Sequence, residues 1–411
     1  MIKERVLEGI TVNKIWKAYN GFTLYTTLGS KKVKLIAMNG KIMHEWNLPY
    51  LPGLYAELLP NENLIYSGHL EDGSLADFEG AGGIIIGVDW QGNKVWEHKD
   101  PYIHHGFHRM KNGNTLIMKW NKIPKEISEK VKGGIPGSEK DDVMWGDIIQ
   151  EIDKSGNIIW EWKSWKHLDA KKNSIWPTVE RDQWGGANSV YEMQDGNILI
   201  SFRRICTIAI INKKTGKIDW QWGLHEISNQ NCAIQIENGN ILVLDNGFHG
   251  EGIHHPFSRI LEFDFNTKKM IWDYRDRDND NINFFSDFMS SCQRLPNGNT
   301  LIVESSWGRI FEVTKSGEIV WEFVNPDYAK FQDYGTSNVV TRAFRYGVDY
   351  PGLKGNKELG LGKMIQTEMD VIANKKAQEE QEEQGESRKT LGSKEKDEQA
   401  KVMSRLENLG Y

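Results

Sequence analysis

The chain has 411 residues, 39% of them hydrophobic and 26% charged, with a net charge of −6. This length suits one large core or two ordinary ones, and the acidic balance excludes wholesale binding to a nucleic-acid backbone, which needs a dense basic face. No apolar run reaches the ~20 residues of a membrane helix, acids occupy the stretch from Met1 to Glu8 where an export signal is apolar, and Cys206, Cys232 and Cys292 are too far apart for a disulfide framework, so the expected setting is cytoplasmic.

From the N-terminus onward one turn recurs. It stands at Asn20-Gly21-Phe22, Asn61-Glu62-Asn63, Asn112-Gly113-Asn114, Asp195-Gly196-Asn197, Asn238-Gly239-Asn240 and Asn297-Gly298-Asn299. An apolar run such as Thr115-Leu116-Ile117-Met118 follows each, as expected for a tight hairpin feeding a buried strand. A second turn alternates with the first and leads into a strand ending in Trp46, Trp96, Trp160, Trp220, Trp272 or Trp321. Two hairpins per unit make about four strands, and six such units predict a six-bladed β-propeller, with the tryptophans packing between blades. A local period of two excludes an α-solenoid.

The largest gap between turns holds two insertions, residues 122–146 and 165–184, read as rims or lids over one face. A smaller insertion, 247–256, carries His249, His254 and His255. Between Leu353 and Gly410 the chain has no aromatic residue and is rich in Lys, Glu and Gln. The predicted organisation is therefore a propeller over 1–352 and a charged tail over 353–411, helical or disordered. The more apolar stretch 402–411 is expected to dock back or to pair with a second copy of the chain.

Certain segments resemble the aryl-sulfate sulfotransferase family: Ser67-Gly68-His69, His104-His105-Gly106-Phe107, Ala187-Asn188-Ser189-Val190, Leu244-Asp245-Asn246-Gly247 and the run from Gln293 to Leu301. The likeness extends from about Tyr19 to Gly352. It implies a propeller whose central channel transfers a sulfuryl group between phenols through a sulfated histidine, with further histidines, an asparagine and an arginine holding the sulfate oxygens. The resemblance places that histidine seven residues before an Asn-Gly-Asn turn, where this chain has Asn231; a second family histidine falls on Gly186. An amide does not take up and release a sulfuryl group as an imidazole does.

Seven residues before the six turns stand Asn13, Leu54, His105, Asn188, Asn231 and Ser290; eight residues after stand Leu28, His69, Trp120, Arg203, Asn246 and Ser305. In superposable blades each set forms a ring, and such polar rings predict a wet, functional channel end. The catalytic set read from this register is His105, Arg203 or Arg204, Asn188 and Asn231. His105 is the acid/base or acceptor residue, Asn188 and an arginine hold the oxyanion, and Asn231 orients substrate. His104, Trp120, Trp184, Asn246 and Glu304 are expected to line the substrate site. Strand alternation puts His104 and His105 on opposite faces, and Cys232, a substitute nucleophile, on the face away from Asn231.

Two alternatives stay open. His69, His105 and His255 form a candidate transition-metal triad for a hydrolase or lyase, and a non-catalytic binding propeller is the other. The sulfotransferase reading needs no cofactor. The expected partner is a small anionic or aromatic molecule, not nucleic acid or membrane.

Overall fold

The structure, a computed structural model, describes residues 7–73, 75–247, 257–276, 283–332, 335–356, 359–361 and 370. Five four-stranded antiparallel sheets are continuous in sequence. They run from Leu51–Leu58 to Lys94–Lys99, Ile103–Arg109 to Ile158–Lys163, Ala187–Glu192 to Ile218–Trp222, Asn231–Gln235 to Met270–Tyr274, and Ser291–Arg294 to Ile319–Val324. These are blades 2 to 6. Blade 1 is composite: Gly21–Thr27, Lys32–Ala37 and Ile42–Asn47 take Val340–Gly347 as their innermost strand. Gly9–Asn13 adds a fifth strand to the outer edge of blade 6. The fold is the predicted six-bladed β-propeller, closed at both its inner and its outer edge.

This closure corrects part of the sequence reading. No hairpin forms at Asn20-Gly21, because Gly21 pairs with Gly347. Asn13, expected on an axial ring, lies on the outer edge of blade 6 opposite Trp321.

The repeated turns form for identifiable reasons. In Asn112-Gly113-Asn114 the Asn112 side-chain oxygen accepts the Asn114 backbone N–H at 2.8 Å, and Gly113 takes φ +84°. The Asn114 amide then donates to Glu151 on the third strand at 2.6 Å. Asn240 with Glu262 (2.7 Å) and Asn299 with Glu312 (2.7 Å) repeat this contact.

The tryptophans join one blade to the next. The Trp46 indole donates to the Asp89 carbonyl, Trp96 to Lys154, Trp160 to Lys213, Trp272 to Lys315 and Trp321 to Met38, all at 2.7–3.1 Å. The Trp321 bond bridges blade 6 back to blade 1. Trp220 packs on Phe263 but its indole nitrogen is buried without a partner.

The two insertions pair with each other. Gly133–Ile135 lies parallel to Ile175–Glu180, and Gln183–Trp184 parallel to the start of Trp145–Ile152. Their apolar residues, among them Val131, Trp165, Val179 and Trp184, continue the core of blades 3 and 4. The chain divides into units 1–356 and 357–411. Most of the second unit, including the predicted tail element and the 402–411 segment, lies outside the described residues, and so does the 248–256 segment with His249, His254 and His255. Among the described residues no helix is long and apolar enough to cross a membrane.

Candidate active site

The hairpins that join strands one to two in blades 2 to 6, and three to four in every blade, are tight and share one face. The two-to-three connections and the blade-to-blade connections share the other, and all the long insertions are there. On this loop-bearing face the beginnings of the innermost strands converge.

His104 and His105 begin the innermost strand of blade 3. A bulge interrupts its pairing with the second strand between Ile117 and Lys119, and His105 adopts φ +54°. The left-handed residue breaks the alternation assumed from sequence. The two rings meet with their Nδ1 atoms 2.9 Å apart instead of facing opposite ways. His104 is fully buried and stacked on Trp120, with ring centroids 4.6 Å apart. His105 is half-buried, and its ring packs on Gly80, where any side chain would overlap it.

Arg342, on the innermost strand of blade 1, marks the axis. Its guanidinium donates to the Asn188 carbonyl of blade 4 at 3.2 Å and lies 4.9 Å from the ring centre of Tyr55 in blade 2. It also contributes to the field at His105 in blade 3 and Cys232 in blade 5. Tyr55, Phe107 and Phe344, from the innermost strands of blades 2, 3 and 1, pack edge to face beside it.

The electrostatics follow from burial and these cations. Desolvation, then Arg203, Arg342 and Arg204, pull the His105 pKa down to about 3, so its imidazole is neutral at neutral pH. Arg203 lies 3.4 Å from Glu79 and Arg204 3.8 Å from it; Arg203 first, then Arg204, hold that carboxyl below the usual range. Arg204 is further fixed by the Asp182 carboxylate at 2.5 Å and the Glu180 carbonyl at 2.8 Å. Beside the cluster lies a cavity of about 310 Å³. Its walls include Leu54, His69, Phe78, Glu79, Gly80 and Phe331.

The arylsulfotransferase (ASST) family model matches residues 56–326. The chain belongs to the arylsulfotransferase family. Membership supports a sulfotransferase-like enzyme in general terms. Among solved structures, a protein of unknown function from Bacteroides caccae is 13% identical; the match covers 79% of this chain and 98% of that one, with a TM-score of 0.52. An inactive virginiamycin B lyase from Staphylococcus aureus is 9% identical (77% and 88% covered, TM-score 0.44), and the Dos1 propeller 12% (76% and 86%, 0.37). At these identities the likeness concerns the fold alone. No curated protein sequence matches this chain.

Against this arylsulfotransferase frame, His105, Asn188 and Arg203 come together near Arg342. One amide N–H of Asn188 is already donated to the Gln230 carbonyl at 2.8 Å. Asn231 is buried on the innermost strand of blade 5 and accepts the Cys232 backbone N–H at 2.9 Å. Cys232 is turned toward the next blade, where its sulfur contacts the Cys292 backbone.

Five expectations fail. Trp120 is buried beneath His104 and donates to Gln183, while Trp184 is fully buried and donates to the Asn173 carbonyl, so neither offers a ring face to a ligand. Asn246 is buried and pins the following loop through the Ser286 carbonyl at 2.7 Å. Glu304 pairs with Arg309 at 3.0 Å and accepts the Phe285 N–H, a blade-internal bond that leaves no free base. His104, expected to touch substrate, is sealed behind His105.

Among the described residues no three His, Cys, Asp or Glu side chains converge to hold a metal. Of the proposed triad, His255 lies outside them, and His69 has its Nδ1 3.1 Å from the Ala81 carbonyl. Arg342 is the residue the sequence register missed, because blade 1 takes its innermost strand from far along the chain. A signal existed: Arg345 bonds Thr23 as Arg109 bonds Thr115 and Arg294 bonds Thr300. Aligning that Arg–Thr pair would have put Val340–Gly347 among the innermost strands.

Proposed function

We propose that this chain is an arylsulfotransferase-like enzyme that binds a small aromatic sulfate ester at the loop-bearing end of the axis and uses His105 as the sulfuryl acceptor. The observation that carries the reading is the meeting of a neutral imidazole, His105, with Arg203 and Arg342. Sulfuryl transfer needs a lone pair on the attacking nitrogen and fixed positive charge around the sulfonate oxygens.

The His105 Nε2 lone pair forms a bond to sulfur as the sulfur–oxygen bond to the aryl group breaks. The phenolate leaves and takes a proton from solvent. A second phenol then attacks sulfur as the nitrogen–sulfur bond breaks, and the imidazole is restored. Arg203 and Arg342 neutralise the sulfonate throughout, and the Asn231 amide orients it. The aryl group occupies the cavity beside Gly80, which is large enough for one substituted ring. There His69 takes the proton of the incoming phenol: its Nδ1–H faces the Ala81 carbonyl, so Nε2 carries the lone pair. Glu79 holds the arginines when no anion is bound and yields to one.

The test is turnover of a chromogenic aryl sulfate with a phenol acceptor, followed by peptide mapping after donor alone. One SO₃ group on His105, absent from His105→Ala, is the expected result. No turnover of any aryl sulfate, or an adduct at another residue, overturns the reading.

A further inference from the structure

The pair of histidines raises a question of tautomers. Two Nδ1 atoms 2.9 Å apart cannot both present lone pairs, nor can both donate. Burial, together with the neighbouring ring and cations, holds both imidazoles neutral at neutral pH. Exactly one Nδ1 therefore carries the shared proton, and the choice fixes which nitrogen of His105 faces substrate.

Asp147 stands behind His104. It lies on the third strand of blade 3, buried, with Oδ1 3.5 Å from His104 Nε2. Oδ1 also accepts the Ala187 N–H at 3.0 Å, while Asp147 Oδ2 and His104 Nε2 are both buried with no hydrogen-bond partner. Oδ2 is pressed against Gly185, a position where any side chain would overlap it. An orphaned imidazole nitrogen with a buried carboxylate 3.5 Å away is costly to bury unless the two serve each other.

We infer that Asp147 and His104 are positioning residues that set the tautomer of His105. With Asp147 ionised, the His104 proton sits on Nε2, facing the carboxylate. His104 Nδ1 then accepts from His105 Nδ1–H, and His105 Nε2 is left as a lone pair. With Asp147 protonated, the order reverses: Asp147 donates to His104 Nε2, His104 Nδ1–H donates to His105, and His105 Nε2 bears the hydrogen. The exchange gains one proton: it enters from solvent at His105 Nε2, the His105 Nδ1 hydrogen passes to His104 Nδ1, and the His104 Nε2 hydrogen passes to Asp147. The first arrangement makes His105 a nucleophile and the second makes it a donor. The logic is that of a carboxylate orienting a histidine, extended by one ring.

The groups that face this chain of atoms are few. Arg204 and the Gly186 and Ala187 N–H groups face Asp147, the Lys119 carbonyl faces His104, and Arg203, Arg342 and Arg204 face His105. Glu79 screens Arg203 and Arg204. Burial pushes the Asp147 carboxyl up to about 7, against these donors and Arg204, so the exchange falls in an accessible pH range.

The inference rests on His105 as sulfuryl acceptor for its catalytic consequence, but not for its test. Nitrogen-15 histidine spectra of the full chain, with His105 assigned by its loss in His105→Gln, report the tautomer directly. As pH rises through about 7, the His105 proton is expected to move from Nε2 to Nδ1; in Asp147→Asn, which has no titrating group there, its position is expected not to change with pH. A His105 tautomer that is constant from pH 5 to 9 in the wild type overturns the relay, whether or not the protein turns over aryl sulfates. Where turnover is observed, Asp147→Asn is expected to lower kcat by about 10²- to 10⁴-fold with KM within about threefold, because the arginines still hold the anion. An equal rise in KM with kcat intact would make Asp147 a binding element and also overturn the relay.

Discussion

The two faces of the propeller are built by different rules. On the tight-turn face, blades 2 to 6 solve the first turn alike: an Asx contact, a left-handed residue, and a third-strand glutamate bonded to the turn asparagine in blades 3, 5 and 6. On the loop-bearing face the blades present different side chains, even where blades 4 and 6 share a 3-10 turn after the second strand. Blade 1 presents Arg342, blade 3 His105, blade 4 Arg203, and the blade 2 connection presents Glu79. The buried groups at the two ends of the axis differ as well. Near the tight turns the axis carries Glu57, which burial pushes up to about 7 and which accepts the Tyr55 hydroxyl. Repetition serves closure of the ring, and the departures from it gather the candidate residues.

Substitutions on the two faces should separate these roles. The largest expected effect is at His105: His105→Ala lowers kcat for an aryl sulfate at least ~10³-fold while the thermal midpoint moves little, since the ring is only half-buried. Arg342→Gln comes next, with a loss of about 10²- to 10³-fold in kcat/KM, the range seen when one donor to a developing anion is removed. A defect of that size from Arg109→Gln, toward the other end of the axis, would erase the distinction. On the tight-turn face Gly239→Ala is expected to cost about 1–2 kcal/mol in denaturant unfolding and to leave kcat unchanged. Nothing lies within 4 Å of its missing Cβ, so φ +90° alone resists the change. The smallest effect is at Glu79: Glu79→Gln removes a carboxylate that competes with the substrate anion for Arg203, so KM should fall a few-fold and depend more steeply on salt. An unchanged KM would mean that Glu79 does not occupy the anion site.

The tight-turn face was legible in sequence because turn chemistry is local. Asn-Gly-Asn and the blade-end tryptophans state their own geometry, and the blade count follows. The site was legible only where a blade is contiguous. His105, Asn188, Asn231 and Arg203 could be read by register, whereas Arg342 could not, since its blade is assembled from both halves of the ring's seam. The His104–His105 contact escaped strand alternation because a single left-handed residue at a bulge overrides it. Trp120, Trp184 and Glu304 occupy suggestive positions, but the paired insertions and an internal ion pair bury them.

The seam has a consequence for biogenesis. The strand Val340–Gly347 supplies both the inner edge of blade 1 and the axial guanidinium. A nascent polypeptide that has emerged only through blade 6 carries the imidazoles and Arg203 but lacks the second of the arginines that face His105, Arg342. If the proposed site is the active one, competence arrives with the same event that shuts the circle, and an incompletely synthesised copy is inert as well as open.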